Sequence, residues 1–171
     1  DDHDLGWEDA WEVVSRTFAY TNHTVLAEAL ETWDIHIFDR LFPRIAEIVR
    51  EIDRRFRCDM AQRGLDQGTI DYMAPVSGNT VRMAWIACYA SYSINGVAAL
   101  HTEIIKRETL KEWHAIWPER FNNKTNGVTP RRWLKQCNPR LSALLDEVTG
   151  SDAWVRDLTV LGDFTDADTD A

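Results

Sequence analysis

The segment from Asn123 to Leu134 constrains the local fold of this chain more than any other stretch does. Asn126 and Gly127 form a pair that is typical of a tight turn, because both residues tolerate a positive φ. Thr129 followed by Pro130 predicts the N-cap and first turn of a helix, where the missing N–H of proline costs nothing. A polar loop held against a helix start suits the recognition of a neutral polyol or an anion. The same residues are equally consistent with a purely structural cap.

The composition indicates one compact, acidic domain. The chain has 171 residues, a formal net charge of -9 and 44% hydrophobic residues, which is enough to bury a core. The negative charge argues against nucleic-acid binding, which needs clustered Lys and Arg. The longest apolar run, around Met83 to Ala90, is far shorter than the roughly 20 residues that cross a bilayer, so we expect no membrane segment.

The cysteines and the C-terminal residues add two expectations. Cys58, Cys88 and Cys137 are odd in number and far apart in sequence, which disfavours a disulfide framework or a zinc site and favours a cytoplasmic location. Residues 163–171 are acidic and rich in Thr, so we predict a disordered tail or an arbitrary chain end there. Residues 1–162 are predicted to form the folded part.

Hydrophobic periodicity predicts several helices. One helical face is formed by Trp7, Trp11, Val14 and Phe18. A longer apolar stripe, repeating at helical spacing, comprises Leu41, Ile45, Ile48, Ile52 and Phe56. A third helix is predicted over residues 101–113. A fourth begins at the Asn138–Pro139 cap and ends at Gly150.

Two interior segments lack this helical period. Residues 57–80 contain several Gly and Pro, which favours a surface excursion with at most short regular pieces. Residues 81–90 are apolar and β-capable, so we predict a buried strand of a parallel sheet that leads to a turn at Asn95–Gly96. A single buried parallel strand cannot satisfy its own backbone groups. The chain is therefore interpreted as an excised piece of a larger, helix-rich α/β domain.

Two further motifs accompany the first. Residues 19–31 read Ala-Tyr-Thr-Asn-His-Thr-Val-Leu-Ala-Glu-Ala-Leu-Glu, and residues 95–98 read Asn-Gly-Val-Ala. Together with Asn-Lys-Thr-Asn-Gly-Val-Thr-Pro-Arg-Arg-Trp-Leu at 123–134, in this order and spacing, they resemble the α-glucan (glycogen, starch or maltodextrin) phosphorylases. The resemblance runs from Trp7 to about Leu161. Tyr92 stands where the family commonly has histidine, and Ala27 replaces a frequent proline.

The resemblance implies a fold and a reaction. Phosphorylases have two Rossmann-like lobes of the GT-B type that face a cleft, and these motifs belong to the N-terminal lobe. In the implied reaction, inorganic phosphate releases glucose 1-phosphate from the non-reducing end of an α-1,4-glucan. Pyridoxal phosphate assists proton transfer through its phosphate group, and its attachment lysine belongs to the other lobe. We therefore expect no attachment lysine and no catalytic residue in this chain, and a homodimer at full length.

The resemblance also assigns substrate-binding residues. His23 and Asn126 match residues that contact the 6-hydroxyl of the transferred glucosyl unit, and Val97 matches a position that approaches the sugar through its main chain. An imidazole both donates and accepts hydrogen bonds, which suits a hydroxyl. Without the family, His23 is more simply a structural histidine, and Asn126 is a turn-former as readily as a ligand. Supporting residues of the same motifs are Asn22, Thr24, Gly96, Thr125 and Gly127.

Other polar groups have simpler interpretations. Arg131 and Arg132 could clamp a phosphate, but cations in a first helical turn oppose the helix dipole, which favours a structural ion pair or an interdomain role. Glu28 and Glu31 could form a hydrolytic carboxylate pair, but at this helical spacing a solvated face is the simpler interpretation.

These observations predict a fragment that forms one wall of the glucosyl pocket and is inactive alone. The remaining lobes of the same protein, the glucan and inorganic phosphate are its expected partners. The alternative hypothesis is a stand-alone helical module for glucan binding or protein interaction, without catalysis.

Overall fold

A computed structural model describes residues 5–164 of the chain. The chain divides into two compact units at the boundary between Thr125 and Asn126. In the first unit the helices are α1 (Trp7–Thr17), α2 (Ile35–Leu41), α3 (Pro43–Gln62), α4 (Gln67–Met73), α5 (Met83–Ala90), α6 (Ala99–Ile104) and α7 (Lys111–Ile116). Its strands are β1 (Tyr20–Thr21), β2 (Thr32–Asp34), β3 (Val76–Ser77), β4 (Thr80–Arg82), β5 (Ile94–Gly96) and β6 (Phe121–Asn123). The helix-rich α/β class predicted from the sequence is confirmed.

A parallel sheet lies at the centre of the first unit. Its strand order is β1-β5-β6, with Tyr20 opposite Ile94 and Gly96 opposite Asn123. All residues of β5 are buried. Asn95 and Gly96 therefore belong to a central strand, and the turn predicted at that pair is wrong. Gly96 has no side chain, which suits a strand position that a neighbouring backbone approaches closely.

Residues 81–90 form a helix and not the predicted strand. Only Val81 and Arg82 are extended, as the end of β4, and α5 follows from Met83 to Ala90. Ala84, Trp85 and Cys88 are its buried residues, at helical spacing. Apolar side chains on the other faces of α5 hide this period, and a short apolar run cannot be assigned by periodicity alone.

Residues 57–80 are more ordered than predicted. This segment contains the end of α3, all of α4, the strand β3 and the first residue of β4, and its members Met73, Ala74 and Pro75 are buried. The second sheet, in the order β2-β4-β3, is antiparallel. Its hairpin turns at Gly78, whose φ of 57° is readily adopted by glycine. The prediction of at most short regular pieces is wrong for the end of α3, a 20-residue helix, whereas most residues of the segment are exposed, as predicted for a surface segment.

The apolar stripe on α3 is confirmed in part. Ile52 and Phe56 are buried, whereas Ile45 and Ile48 are 45% and 38% exposed and Leu41 lies in α2. The buried residues of α3 are Ala46, Val49, Ile52, Phe56 and Met60. In the first half of α3 the buried face is thus rotated from the predicted stripe, with Ala46 and Val49 inward in place of Ile45 and Ile48.

Aromatic side chains fill the core of the first unit. Trp113 is 1% exposed and packs against Phe56 and Trp117, with ring centroids 5.4 and 5.6 Å apart. Trp113 belongs to the predicted helix 101–113, which is confirmed except that a π-helical segment, Ile105–Thr109, joins α6 to α7. Trp7 and Trp11 lie in helix α1, as predicted, and this helix ends before Phe18.

The second unit is a small helical assembly. A π-helical segment, Arg131–Gln136, precedes α8 (Pro139–Thr149), and 3-10 turns follow at Ala153–Val155 and Leu158–Phe164. The predicted cap is confirmed, because the side chain of Asn138 accepts a hydrogen bond from the Leu141 N–H, and Gly150 ends the helix with a φ of 72°. Residues 165–171 of the predicted tail lie outside the described residues.

Candidate functional site

Three loops leave the carboxyl ends of the three parallel strands. His23 follows β1, Val97 follows β5, and Lys124 and Thr125 follow β6. Neighbouring parallel strands end at the same edge of a sheet, which is where open α/β sheets bind ligands. The motifs at 19–31 and 95–98 thus each supply a loop at this carboxyl edge, and the motif at 123–134 begins there.

The loop after β1 is held by a buried asparagine. Asn22 is fully buried, and its N–H donates to the Asn95 carbonyl at 2.9 Å. Its Oδ1 accepts from the Thr24 N–H at 2.9 Å, and its Nδ2 donates to the Tyr20 hydroxyl at 3.1 Å. Burial raises the pKa of the Tyr20 hydroxyl, so this partner stays neutral. The asparagine therefore closes a tight turn around His23.

His23 itself is exposed. Its ring makes no hydrogen bond to any part of the chain that the structure describes. The alternative interpretation, a structural histidine held by neighbouring groups, therefore has no supporting contact there. His23 lines an open cleft of about 480 Å³, together with Thr24, Glu31 and Met83. An imidazole in this position is free to donate to or accept from a ligand hydroxyl.

The end of β5 is held from the helix that follows it. The Val97 N–H donates to Nδ1 of His101 at 3.1 Å, so of its main-chain groups only the carbonyl stays available to a ligand. Gly96 lies against Thr102: a Cβ there would sit 2.5 Å from Thr102 Oγ1 and 2.9 Å from Thr102 Cα. The missing side chain of Gly96 thus lets helix α6 approach the strand closely.

The end of β6 leads toward the third motif. Asn123 donates from Nδ2 to Thr125 Oγ1 at 2.9 Å, and the Lys124 N–H donates to the Gly96 carbonyl at 3.1 Å. Thr125 is the last residue of the first unit.

The second unit begins with Asn126 and Gly127. Both residues are exposed. Gly127 is not among the glycines with positive φ, so the tight turn predicted at this pair is wrong. Thr129 makes no side-chain cap; its carbonyl accepts from the N–H groups of Arg132 and Trp133 at 3.1 and 3.0 Å instead.

The alternative polar groups do not form a hydrolytic site. Glu28 lies in a 3-10 turn and not in the predicted helix, and Glu31 accepts a hydrogen bond from Trp33 Nε1 at 2.6 Å. Both carboxylates are exposed. Arg131 and Arg132 are also exposed, and no ion pair involves them within residues 5–164. The same described range contains no cluster of three or more His, Cys, Asp or Glu side chains suited to a metal ion.

The lysines of the chain do not fit the attachment of pyridoxal phosphate. They are Lys106, Lys111, Lys124 and Lys135. An imine-forming lysine must lose its proton readily, which burial in an apolar pocket favours. Lys106 instead pairs with Glu103 at 3.0 Å, and the hydrogen bond that Lys135 donates to the Asp152 carboxylate raises the pKa of Lys135. Lys111 and Lys124 are exposed.

Comparison with known proteins finds similarity to phosphorylases. A family model described as carbohydrate phosphorylase matches residues 1–171. Alpha-glucan phosphorylase 2, cytosolic, of Arabidopsis thaliana is 45% identical over 166 residues, which are 94% of this chain and 20% of that protein. Glycogen phosphorylase of Bacillus subtilis (strain 168) is 45% identical over 157 residues, 91% of this chain and 20% of that protein. The liver form of glycogen phosphorylase from Bos taurus is 41% identical over 163 residues, 92% and 19% respectively.

The chain therefore spans about a fifth of the length of these relatives. Within residues 5–164 no helix is both long and apolar enough to cross a membrane.

Proposed function

The chain belongs to the carbohydrate phosphorylase family, and from this premise we propose that it forms one wall of the glucosyl pocket of an α-glucan phosphorylase. The whole protein would use inorganic phosphate to release glucose 1-phosphate from the non-reducing ends of α-1,4-glucans. The observation that carries the proposal is the carboxyl edge of the parallel sheet, where the loops of His23, Val97 and Thr125 leave adjacent strands.

The proposed sugar contacts use groups that the fold leaves free. His23 is exposed on a cleft without a hydrogen-bond partner in the described residues, and Asn126 is exposed. Both would contact the 6-hydroxyl of the glucosyl unit, one donating and the other accepting, and Val97 would approach the sugar with its carbonyl. A site that pairs both the proton and a lone pair of one hydroxyl rejects analogues that lack it, because its own polar groups are then left unpaired.

The proposed architecture is the N-terminal Rossmann-like lobe of a two-lobe, GT-B type enzyme. The parallel strands β1, β5 and β6, with helices following β5, support this assignment. The remaining lobes of the same protein would complete the cleft, and the full-length enzyme would be a cytosolic homodimer.

The cofactor of the full enzyme would be held elsewhere. Pyridoxal phosphate supplies proton transfer through its phosphate group when bound, and the ion-paired or exposed lysines described above do not fit its attachment. The role of this chain's residues is to orient the sugar. Because catalysis by preorganised groups needs every wall of the cleft, we expect this polypeptide alone to be inactive. Glucose 1-phosphate released by the purified chain from glucan and phosphate would contradict that expectation.

The contact with the 6-hydroxyl is tested in the full-length enzyme. We expect His23→Ala and Asn126→Ala to lower kcat/KM for glucose 1-phosphate by about 10- to 100-fold, the loss of one or two hydrogen bonds to a substrate hydroxyl. The same variants should change kcat/KM for 6-deoxyglucose 1-phosphate much less. His36→Ala is the matched control, because His36 is an exposed histidine at the start of α2, beside Asp39. Equal losses with both sugars would show that the proposed contact is absent.

A further inference from the structure

One helical stretch carries a polar anchor for each of the three edge loops. It runs through α6, the π-helical segment and α7, and it places His101, Thr102 and Thr109 toward the sheet. Thr102 is 2% exposed and Thr109 is 6% exposed. Most buried polar side chains are hydrogen-bonded, so the partners of these threonines indicate what their side chains do.

Thr102 ties the end of β5 to the end of β6. Its Oγ1 lies 2.9 Å from the Ala98 carbonyl and 3.1 Å from Oδ1 of Asn123. Asn123 in turn donates to Thr125, the residue before Asn126. The tight contact between Thr102 and Gly96 leaves this hydroxyl little freedom to move. One side chain therefore lies between the start of α6 and the end of β6, beside Gly96 at the end of β5.

His101 holds the first residue after β5. Its Nδ1 accepts the Val97 N–H at 3.1 Å, so the ring proton of the neutral imidazole resides on Nε2. This Nε2 is buried and has no hydrogen-bond partner among the described residues. The ring is thus committed to Val97 on one side, which orients the Val97 carbonyl.

Thr109 holds the loop after β1. Its Oγ1 donates to the Val25 carbonyl at 2.8 Å, across 84 positions of sequence. Val25 follows the turn that carries His23. Thr109 is the last residue of the π-helical segment. Such a wider turn is often found at functional sites, because the extra residue changes the direction of the side chains that follow.

We propose that Thr102 and Thr109, together with His101, are positioning residues of the glucosyl pocket. They touch no substrate; they fix the loops that carry His23, Val97 and the start of the third motif in one geometry. This inference rests on the proposed function. A misplacement of about 1 Å in such loops lowers turnover by up to 100-fold, so removing an anchor should reduce discrimination for the 6-hydroxyl.

The test uses the full-length enzyme and conservative pairs of variants. Thr102→Val and Thr109→Val remove a hydroxyl and keep the branched shape, whereas Thr102→Ser and Thr109→Ser keep the hydroxyl. The readout is the ratio of kcat/KM for glucose 1-phosphate to kcat/KM for 6-deoxyglucose 1-phosphate, alongside the thermal midpoint. Thr17→Val is the control, since Thr17 Oγ1 donates only to the Val13 carbonyl of its own helix, before β1 begins.

The expected result is a ratio that falls about tenfold in each Val variant, stays within about threefold of the parent in each Ser variant, and is unchanged in Thr17→Val. An unchanged ratio in the Val variants, or an equal loss in Val and Ser variants, would overturn the inference. If Thr102→Val does not fold, Thr109→Val decides, because Thr109 lies outside the close contact with Gly96. A parent enzyme without preference for the 6-hydroxyl would instead refute the proposed function.

Discussion

The two sheets of the first unit are built from similarly short strands but differ in how they are held. The parallel sheet has a fully buried central strand, and its strand ends are fixed by buried polar groups such as Asn22 and Thr102. The antiparallel sheet has an exposed edge strand, β2, and its hairpin is tied to α3 by Arg57 and Asp53 near the surface.

The parallel sheet therefore holds its loops in a defined geometry, whereas the antiparallel sheet mainly adds stability. Buried hydrogen bonds in a low-dielectric environment hold groups in one geometry, whereas partly exposed charges tolerate movement and are weakened by solvent. The loops that carry the site motifs all leave the parallel sheet. The antiparallel sheet is therefore expected to contribute stability without sensing the sugar.

The largest effect is expected from a methyl group added to the central strand. In Gly96→Ala the new Cβ would meet the backbone of Thr102, which cannot move aside, so we expect a loss of about 3 kcal/mol in the free energy of unfolding. Thermal or denaturant unfolding of the full-length protein measures it.

The matching change in the antiparallel sheet is Gly78→Ala. A Cβ at Gly78 meets nothing within 4 Å, and only the positive φ opposes it, at a cost of about 1 kcal/mol. If the two alanines cost the same, the close packing at the carboxyl edge does not control stability as described here.

A smaller effect is expected from the ion pair that supports the hairpin. Arg57 donates to Asp53 at 2.7 Å and to the Val76 carbonyl at 2.9 Å. Arg57→Ala leaves the partly buried Asp53 with one partner fewer, so we expect a loss of about 1–2 kcal/mol in stability.

The comparison of the sheets predicts that this variant keeps its discrimination for the 6-hydroxyl. Arg54→Ala, which removes an exposed pair with Glu51, is the control and should leave the free energy of unfolding nearly unchanged. A changed sugar preference in Arg57→Ala, with Arg54→Ala unaffected, would mean that the antiparallel sheet also shapes the site.

The smallest effect concerns Tyr89 on α5, the helix that connects the two sheets. Burial raises the pKa of Tyr89 from 10.0 to about 12. The folded state therefore keeps the phenol proton that the unfolded state loses above pH 10, and stability falls as the pH rises from 10 toward 12. Tyr89→Phe keeps the ring contacts with Trp11 and Phe56 and should reduce this alkaline slope in thermal unfolding. An identical slope in parent and variant would assign the alkaline instability to other groups.

Local signals predicted part of the fold well. The Asn138 cap and Gly150 placed α8 correctly because capping depends on neighbours in sequence. The run at residues 81–90 was misassigned because an apolar helix in a core has no polar face to reveal its period. The pair Asn95–Gly96 has turn-like residues, yet tertiary pairing with β1 and β6 makes it a strand.

In the candidate site, too, some residues could be identified from the sequence and others only from the fold. His23, Val97 and Thr125 were identified from motifs, and the fold places them in loops at one sheet edge. Thr102 and Thr109 were missed. Their signal was a pair of hydroxyls on the inward face of a predicted helix, but the acceptors are distant in sequence, Asn123 for one and Val25 for the other. Only the folded chain identifies such partners.

The most direct measurement is a structure of the full-length enzyme with a glucosyl unit bound. We expect the 6-hydroxyl oxygen within about 3.2 Å of a ring nitrogen of His23 and of the Asn126 side chain, at the carboxyl edge of β1, β5 and β6. A sugar whose 6-hydroxyl lies more than about 4 Å from His23, or one bound away from this edge, would contradict it.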